Sequence, residues 1–359
     1  MKFIFLNLTA SRIFPDLEKS KGMGASDAFI MHVTRALVEK GHEVKLYANT
    51  SFSGMNEGVR WENYIDHDLL EECDVLVVNR GAISIDNFKP KKMIYYSHDN
   101  TDAPVMKGIE EFFDKPDVIV AVSEWHKTRL LDLAREKGVD LRPEKIVVVG
   151  NGLAYPPEKV TEKELSACYC SIPFKGLHVL ASIWPRIKEA VPGLKLHVCS
   201  GMSMYGMDSH DLYYNNVYEA LKADPDVVFH GVLTNEEVRE VMKECSLMIY
   251  PNTFPETFCV AAYESISVGT PVISSDLAAL PTTVGDCGVL IKGDPEFPGM
   301  ATKPLYHEEM IAVLKDILVD HPEKLDELRQ RCYDRKMRTW KDVADDIERI
   351  SMEALDGSN

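Results

Sequence analysis

The sequence predicts an α/β protein made of two doubly wound domains. Short apolar runs alternate with amphipathic segments through both halves of the chain. The Val- and Ile-rich runs are continuous rather than alternating, which suits strands buried on both faces of a parallel sheet. The chain also has 359 residues, too many for one ordinary core at about 100–200 residues per domain.

In the first half, Lys2–Leu8 reads as a buried strand rather than a signal peptide. A helix over Asp27–Lys40 closes at Gly41, and Glu43–Ala48 is the next strand. Asp74–Asn79, Met93–Tyr96, Val118–Val122 and Ile146–Val149 read as further strands. Ser123 is placed to cap a helix from Glu124 to about Lys137, stopped by Gly138. Leu153–Lys159 holds two prolines and little periodicity, as a linker does. The pattern then restarts with strands at Leu165–Cys170, Lys195–Cys199, Val227–Phe229, Leu247–Tyr250, Pro271–Ser274 and Gly288–Ile291. Helices are expected over Gly176–Ala190, over Asn235–Lys243 behind Thr234, and over Phe258–Val268. The tail, Glu308–Val319 and Pro322–Arg349, reads as helices. Repeated β-α-β units place one domain at residues 1–153 and a second at 154–359.

The formal net charge of −17 argues against a sequence-independent nucleic-acid binder, which needs cations to replace phosphate counterions. It also disfavours an anionic membrane as a partner of the whole surface. A basic stretch at Lys89, Lys91 and Lys92 could make a local membrane or anion contact; a solvated turn before a strand is the plainer reading. Eight scattered cysteines with no Cys-x-x-Cys pair suggest reduced thiols and a cytoplasmic location. No apolar run approaches the ~20 residues that span a bilayer.

Ligands of doubly wound sheets bind outside the carboxyl ends of the strands, so chemistry is expected in post-strand loops. The strongest segment is Tyr250-Pro-Asn-Thr-Phe-Pro-Glu-Thr-Phe-Cys-Val-Ala-Ala-Tyr-Glu, followed by Gly269-Thr-Pro-Val-Ile-Ser-Ser. Thr257 is placed to cap the helix, leaving the amides of Phe258, Cys259 and Val260 for an anion. On a continuous helix, Glu256 and Glu264 would lie up to roughly 12 Å apart. That is too far for one acid/base pair and suits two anchors on an elongated ligand.

These residues resemble the signature of retaining GT-B glycosyltransferases of family 4. The resemblance implies two Rossmann-like domains facing an interdomain cleft and a nucleoside diphosphate sugar as donor. It implies that Glu256 contacts the donor sugar, that Glu264 binds the ribose hydroxyls, and that the intervening amides hold the diphosphate. Tyr169-Cys-Ser-Ile-Pro-Phe-Lys-Gly is similar to the family's phosphate-binding segment, which makes Lys175 a phosphate ligand. Many members carry an additional Arg near the position of Cys170, and this chain does not. His98 follows a strand where relatives place a His facing the sugar, and Asp99 could orient it or cap the next loop. Gly22 and Gly24 stand where relatives carry a glycine pair beside the phosphates, and Gly231 where the base is cradled by backbone. Arg338-Thr-Trp-Lys-Asp-Val-Ala resembles the last helix, about 340–355, which crosses back to the first domain.

The resemblance further implies sugar transfer to an acceptor hydroxyl with retained configuration and no essential metal or other cofactor. The acceptor, whether glycan, lipid or small molecule, is not readable. Alternatives are a catalytically weak sugar-nucleotide-binding protein, or another reaction on the same fold such as an epimerase or phosphorylase. A helix-start lysine, a post-strand histidine and loop glycines without further role are the plain alternatives for Lys175, His98 and the Gly22/Gly24 pair.

Overall fold

The computed structural model describes residues 1–7, 12–64, 70–81, 85–203, 207–292 and 303–356. The chain divides into two compact units. Unit 1 comprises Met1–Leu17, Gly24–Ala154 and Arg338–Asn359; unit 2 comprises Glu18–Met23 and Tyr155–Met337. The short segment Glu18–Met23 therefore belongs with the second unit, not with the first domain at residues 1–153 that the β-α-β pattern predicts.

Unit 1 begins with β1 (Lys2–Asn7), α1 (Ala25–Glu39) and β2 (Glu43–Ala48). Next come β3 (Gly54–Asn56), β4 (Val59–Asn63), β5 (Glu71–Asn79) and β6 (Phe88–Tyr96). Then follow β7 (Val118–Ala121), α2 (Glu124–Glu136) and β8 (Ile146–Val148). Their order in the sheet is β3-β4-β2-β1-β5-β6-β7-β8. All neighbours are parallel except the β3–β4 hairpin, which periodicity did not reveal. Ser123 caps α2 by accepting from the His126 amide, and Gly138 follows it at φ 70°.

Lys89, Lys91 and Lys92 do not form a turn. They lie inside β6, where strand alternation puts Lys92 on the opposite face from Lys89 and Lys91: Lys91 pairs with Asp74 at 2.7 Å and Lys92 is buried.

Unit 2 repeats the plan with β9 (Glu164–Cys170), α3 (Leu177–Ala190), β10 (Lys195–Cys199), α4 (Asn215–Lys222), β11 (Val227–Gly231) and α5 (Asn235–Glu244). It continues with β12 (Cys245–Tyr250), α6 (Val260–Ser267), β13 (Val272–Ser275), α7 (Leu280–Val284) and β14 (Gly288–Ile291). Helices α8 (Pro304–Lys315) and α9 (Pro322–Asp334) complete it. The sheet is parallel with order β11-β10-β9-β12-β13-β14. Its core packs both faces, with Trp184 and Ile187 of α3, Ile249 and Tyr250 of β12, and Ile266 of α6 all nearly solvent-free. Thr234 caps α5 in a reciprocal capping box with Glu237.

The final helix, α10 (Trp340–Asp356), belongs to unit 1. Trp340 meets Phe29 edge-on at 6.2 Å and stacks on His32 at 6.5 Å. Lys40 of the chain just after α1 binds Asp345 at 2.6 Å and Glu348 at 2.7 Å. The return is fastened by Leu153 N to Arg338 O (2.9 Å) and Trp340 N to Leu153 O (3.1 Å). Gly152 allows this approach, since a Cβ there would lie 2.4 Å from the Thr339 carbonyl carbon. The predicted continuous helix from Pro322 to Arg349 is interrupted between Asp334 and Trp340, where the chain passes from one unit to the other.

All eight cysteines are buried and free. Among the described residues, no helix is long and apolar enough to cross a membrane.

Candidate functional site

In each sheet the strand order reverses beside the first strand, between β1 and β5 in unit 1 and between β9 and β12 in unit 2. Such switch points leave a crevice at the carboxyl ends of the two strands. In unit 2 the loops after β9 and β12 carry Lys175 and Glu256.

These two side chains meet. Lys175 Nζ lies 2.9 Å from Glu256 Oε1 and 3.0 Å from Oε2. Tyr250, the last residue of β12, donates its hydroxyl to Oε1 at 2.7 Å. Glu256 is only 7% exposed, so this carboxylate is held by directed donors rather than by water. Burial pushes the Tyr250 phenol well above its ordinary value, with the Glu256 charge adding to it, so Tyr250 remains a donor. The Lys175 ammonium also sits 4.8 Å above the Phe254 ring, which meets Phe174 edge-on at 5.6 Å.

The loop geometry follows from its residues. Asn252 makes an Asx turn, with Phe254 N donating to its Oδ1 at 3.0 Å. Ser275 of β13 donates to the Asn252 carbonyl at 2.7 Å. Gly176 has φ 120°, and a Cβ there would fall 2.1 Å from the Pro251 carbonyl oxygen. The Lys-Gly pair thus has a steric reason: only glycine lets the Lys175 turn lie against the loop that carries Glu256.

The helix start departs from expectation. α6 begins at Val260, not Phe258, and Thr257 does not cap it. Cys259 is the cap residue, in the left-handed region at φ 73°, with no side-chain cap bond. A non-glycine residue there is uncommon and costs of order 1–3 kcal/mol. The helical ladder starts with Tyr263 N to Cys259 O at 3.2 Å, so the amides of the preceding turn lie outside it. Phe258 accepts from Thr283 of α7 through its carbonyl. Burial raises the Cys259 thiol, which is therefore inert.

Glu264 lies in the second turn of α6, and the eight-residue spacing from Glu256 is not one straight helix. Burial is the largest influence on Glu264 and lifts it to about 7, against opposing pulls from Asn235 and Arg239. Asn235, at the start of α5, lies close enough to the Glu264 carboxyl to oppose the effect of burial. Its carboxamide also holds the segment preceding Gly24: Met23 N donates to Asn235 Oδ1 at 2.7 Å and Asn235 Nδ2 donates to Met23 O at 3.3 Å. Gly22 is thereby fixed within unit 2. Gly24 precedes α1 as its cap residue at φ −73°, a conformation any residue adopts. Gly231 ends β11 at φ 73°, beside His230, whose ring contacts His197 at 3.0 Å.

In unit 1, His98 follows β6 at the carboxyl end of the sheet, stacked on Tyr96 at 4.8 Å and beside Phe29 at 5.3 Å. Burial, with Arg80 and His126 adding to it, holds its imidazole well below the ordinary value, so the ring is neutral near pH 7. Asp99 is engaged by Arg80. Its carboxylate takes a bidentate bond from Arg80, both arms at 2.6 Å. Arg80 directly follows β5 with φ 62°. Sequence reading missed Arg80, Tyr250, Asn235 and Arg239. A post-strand Arg was a readable signal; the others act through partners distant in sequence.

No metal-ligating group of three or more His, Cys, Asp or Glu occurs among the described residues. The sequence contains two Asp-x-Asp pairs. Asp224 and Asp226 both pair with Lys188, and Asp66 and Asp68 lie outside the described residues.

Two doubly wound parallel sheets with polar loops at both switch points define the GT-B fold. The crystal structure of Anabaena HepE in complex with UDP and glucose aligns at a TM-score of 0.66 and 14% identity, covering 98% of this chain and 100% of that one. Residues 166–303, which include Lys175, Glu256 and Glu264, match the sequence model of glycosyl transferases group 1. The D-inositol 3-phosphate glycosyltransferase of Stackebrandtia nassauensis is 26% identical over 281 residues, covering 71% of this chain and 59% of that protein. Its namesake from Corynebacterium aurimucosum is 24% identical over 287 residues, covering 74% and 64%. The chain thus spans about three fifths of the length of these curated relatives.

Proposed function

We propose that the protein is a glycosyltransferase that moves a hexose-type sugar from a nucleoside diphosphate sugar to an acceptor hydroxyl with retained anomeric configuration. The observation that carries this reading is the Lys175–Glu256 pair at the switch point of the second sheet, just before the helix that holds Glu264. Cleavage of the anomeric bond builds negative charge on the leaving diphosphate and positive charge on the sugar ring. Lys175, with the amides before α6, would stabilise the first charge. Glu256, held by Tyr250 and Lys175, is a fixed carboxylate for the sugar. Glu264 would accept the ribose hydroxyls. A neutral His98 is suited to hydrogen bonding rather than to charge stabilisation.

The family's additional Arg near Cys170 is missing from this chain, and Cys170 itself is buried at the end of β9. Lys175 and main-chain donors are assigned to the phosphates, and no metal is assigned a role. The leaving phosphate is the base that takes the acceptor proton.

The test is a binding and turnover screen of UDP-, GDP- and ADP-sugars with EDTA present. Binding of one donor and transfer with the anomeric proton coupling unchanged in the product support the reading. Binding of none counts against it, inversion refutes retention, and phosphate-dependent cleavage without nucleotide points to a phosphorylase.

A further inference from the structure

Segment Glu18–Met23 joins unit 2 through a contact that neither the signature motifs nor the proposed chemistry uses. Its anchor is Asn235, 212 residues away in sequence, whose carboxamide makes two bonds to the Met23 main chain, at 2.7 and 3.3 Å. An asparagine at a helix start usually serves the helix, but that need is already met here. Thr234 accepts from the Glu237 amide and the Glu237 carboxylate accepts from the Thr234 amide, so the cap is complete without Asn235. The Asn235 side chain is left to hold the Met23 backbone, from a helix start close enough to Glu264 to act on its carboxyl. One turn further along α5, Arg239 fastens the chain entering unit 2. It donates to Glu158 Oε2 at 2.8 Å and to Pro156 O at 3.0 Å, and lies over the Tyr155 ring. The strap itself has an exposed Lys19 and a half-buried Lys21, while Leu17 and Met23 at its ends are buried.

We propose that Asn235 is a positioning residue that holds the Glu18–Met23 strap beside Glu264, so that the strap forms one wall of the nucleotide site. This rests on the reading of Glu264 as a nucleotide ligand. Asn235 does not take part in the chemistry. It sets the place of the Gly22 main chain, and its loss would loosen the strap and weaken nucleotide binding together.

The experiment uses the full chain and two variants, N235A and N235D, with E236Q at the neighbouring exposed position as control. Limited trypsin digestion followed by mass spectrometry reads cleavage after Lys19 and Lys21 without any ligand. Titration calorimetry with UDP, GDP and ADP reads the site. N235A removes both bonds to Met23 and should speed cleavage of the strap by about 10-fold, the effect of losing two ordinary hydrogen bonds. N235D keeps the acceptor for Met23 N and should fall between, with unchanged circular dichroism in both variants. Nucleotide affinity should fall in the same order, and E236Q should match the wild type in both assays. Strap cleavage that is unchanged in N235A overturns the proposal. So does faster cleavage with unchanged affinity for a nucleotide the wild type binds. If the wild type binds none of the three nucleotides, the glycosyltransferase reading fails, while the anchoring is still decided by the cleavage rates alone.

Discussion

Replacing Glu264 with Gln separates the energetic cost of the site from its use. Burial is the main cause that lifts this carboxyl to about 7 from an ordinary value of 4.5. A carboxyl whose folded pKa lies above its unfolded one stabilises the fold while protonated, and that contribution disappears as pH rises through the folded value. Between pH 5 and pH 8 the wild type therefore loses stability that Gln, a neutral group of the same shape, retains. The difference between 4.5 and about 7 converts to at most about 3 kcal/mol. The side chain keeps part of its surface exposed, so screening trims the effect to roughly 1–3 kcal/mol. Urea unfolding of both proteins at pH 5 and pH 8, without nucleotide, measures it. The two should agree within about 0.5 kcal/mol at pH 5, and E264Q should be more stable by roughly 1–3 kcal/mol at pH 8. The same variant should bind nucleotide at least about 10-fold more weakly, the pattern of a residue kept for function at a cost in stability. A wild type as stable as E264Q at pH 8 refutes the reasoning.

Three further outcomes follow from the same geometry. Gly176→Ala places a Cβ 2.1 Å from the Pro251 carbonyl oxygen at φ 120°, so it should destabilise by more than about 2 kcal/mol in thermal melts and abolish donor binding. Tyr250→Phe removes the 2.7 Å donor from a buried carboxylate and should cost roughly 1–3 kcal/mol of stability in urea, with the Lys175 bond intact. The His98 ring, depressed by burial, should show flat imidazole NMR shifts from pH 6 to 8, so a step in pH-dependent activity across that range should survive His98→Gln.

Much of the fold was legible because parallel strands buried on both faces announce themselves as uninterrupted apolar runs. Lys195–Cys199 and Gly288–Ile291 were read to the residue. The capping of α2 by Ser123 and of α5 by Thr234 was also readable, since a cap acts within four residues of itself. What failed was either short or displaced. The β3–β4 hairpin is a small exposed edge with no apolar run, and the start of α6 moved to Val260 because Cys259 adopts a left-handed backbone that its side chain does not announce.

The candidate site divides the same way. Sequence alone put Lys175, Glu256 and Glu264 in loops and a helix after strands, because the β-α-β rhythm fixes which residues follow a strand. Only the tertiary structure decided that Lys175 bonds Glu256 across 81 residues, that Tyr250 supplies the third bond, and that Asn235 ties Met23 to the neighbourhood of Glu264. Local periodicity specifies where a side chain enters the chain's rhythm. Which partner it meets depends on the order of strands in the sheet, a consequence of packing the whole core that no window of sequence contains.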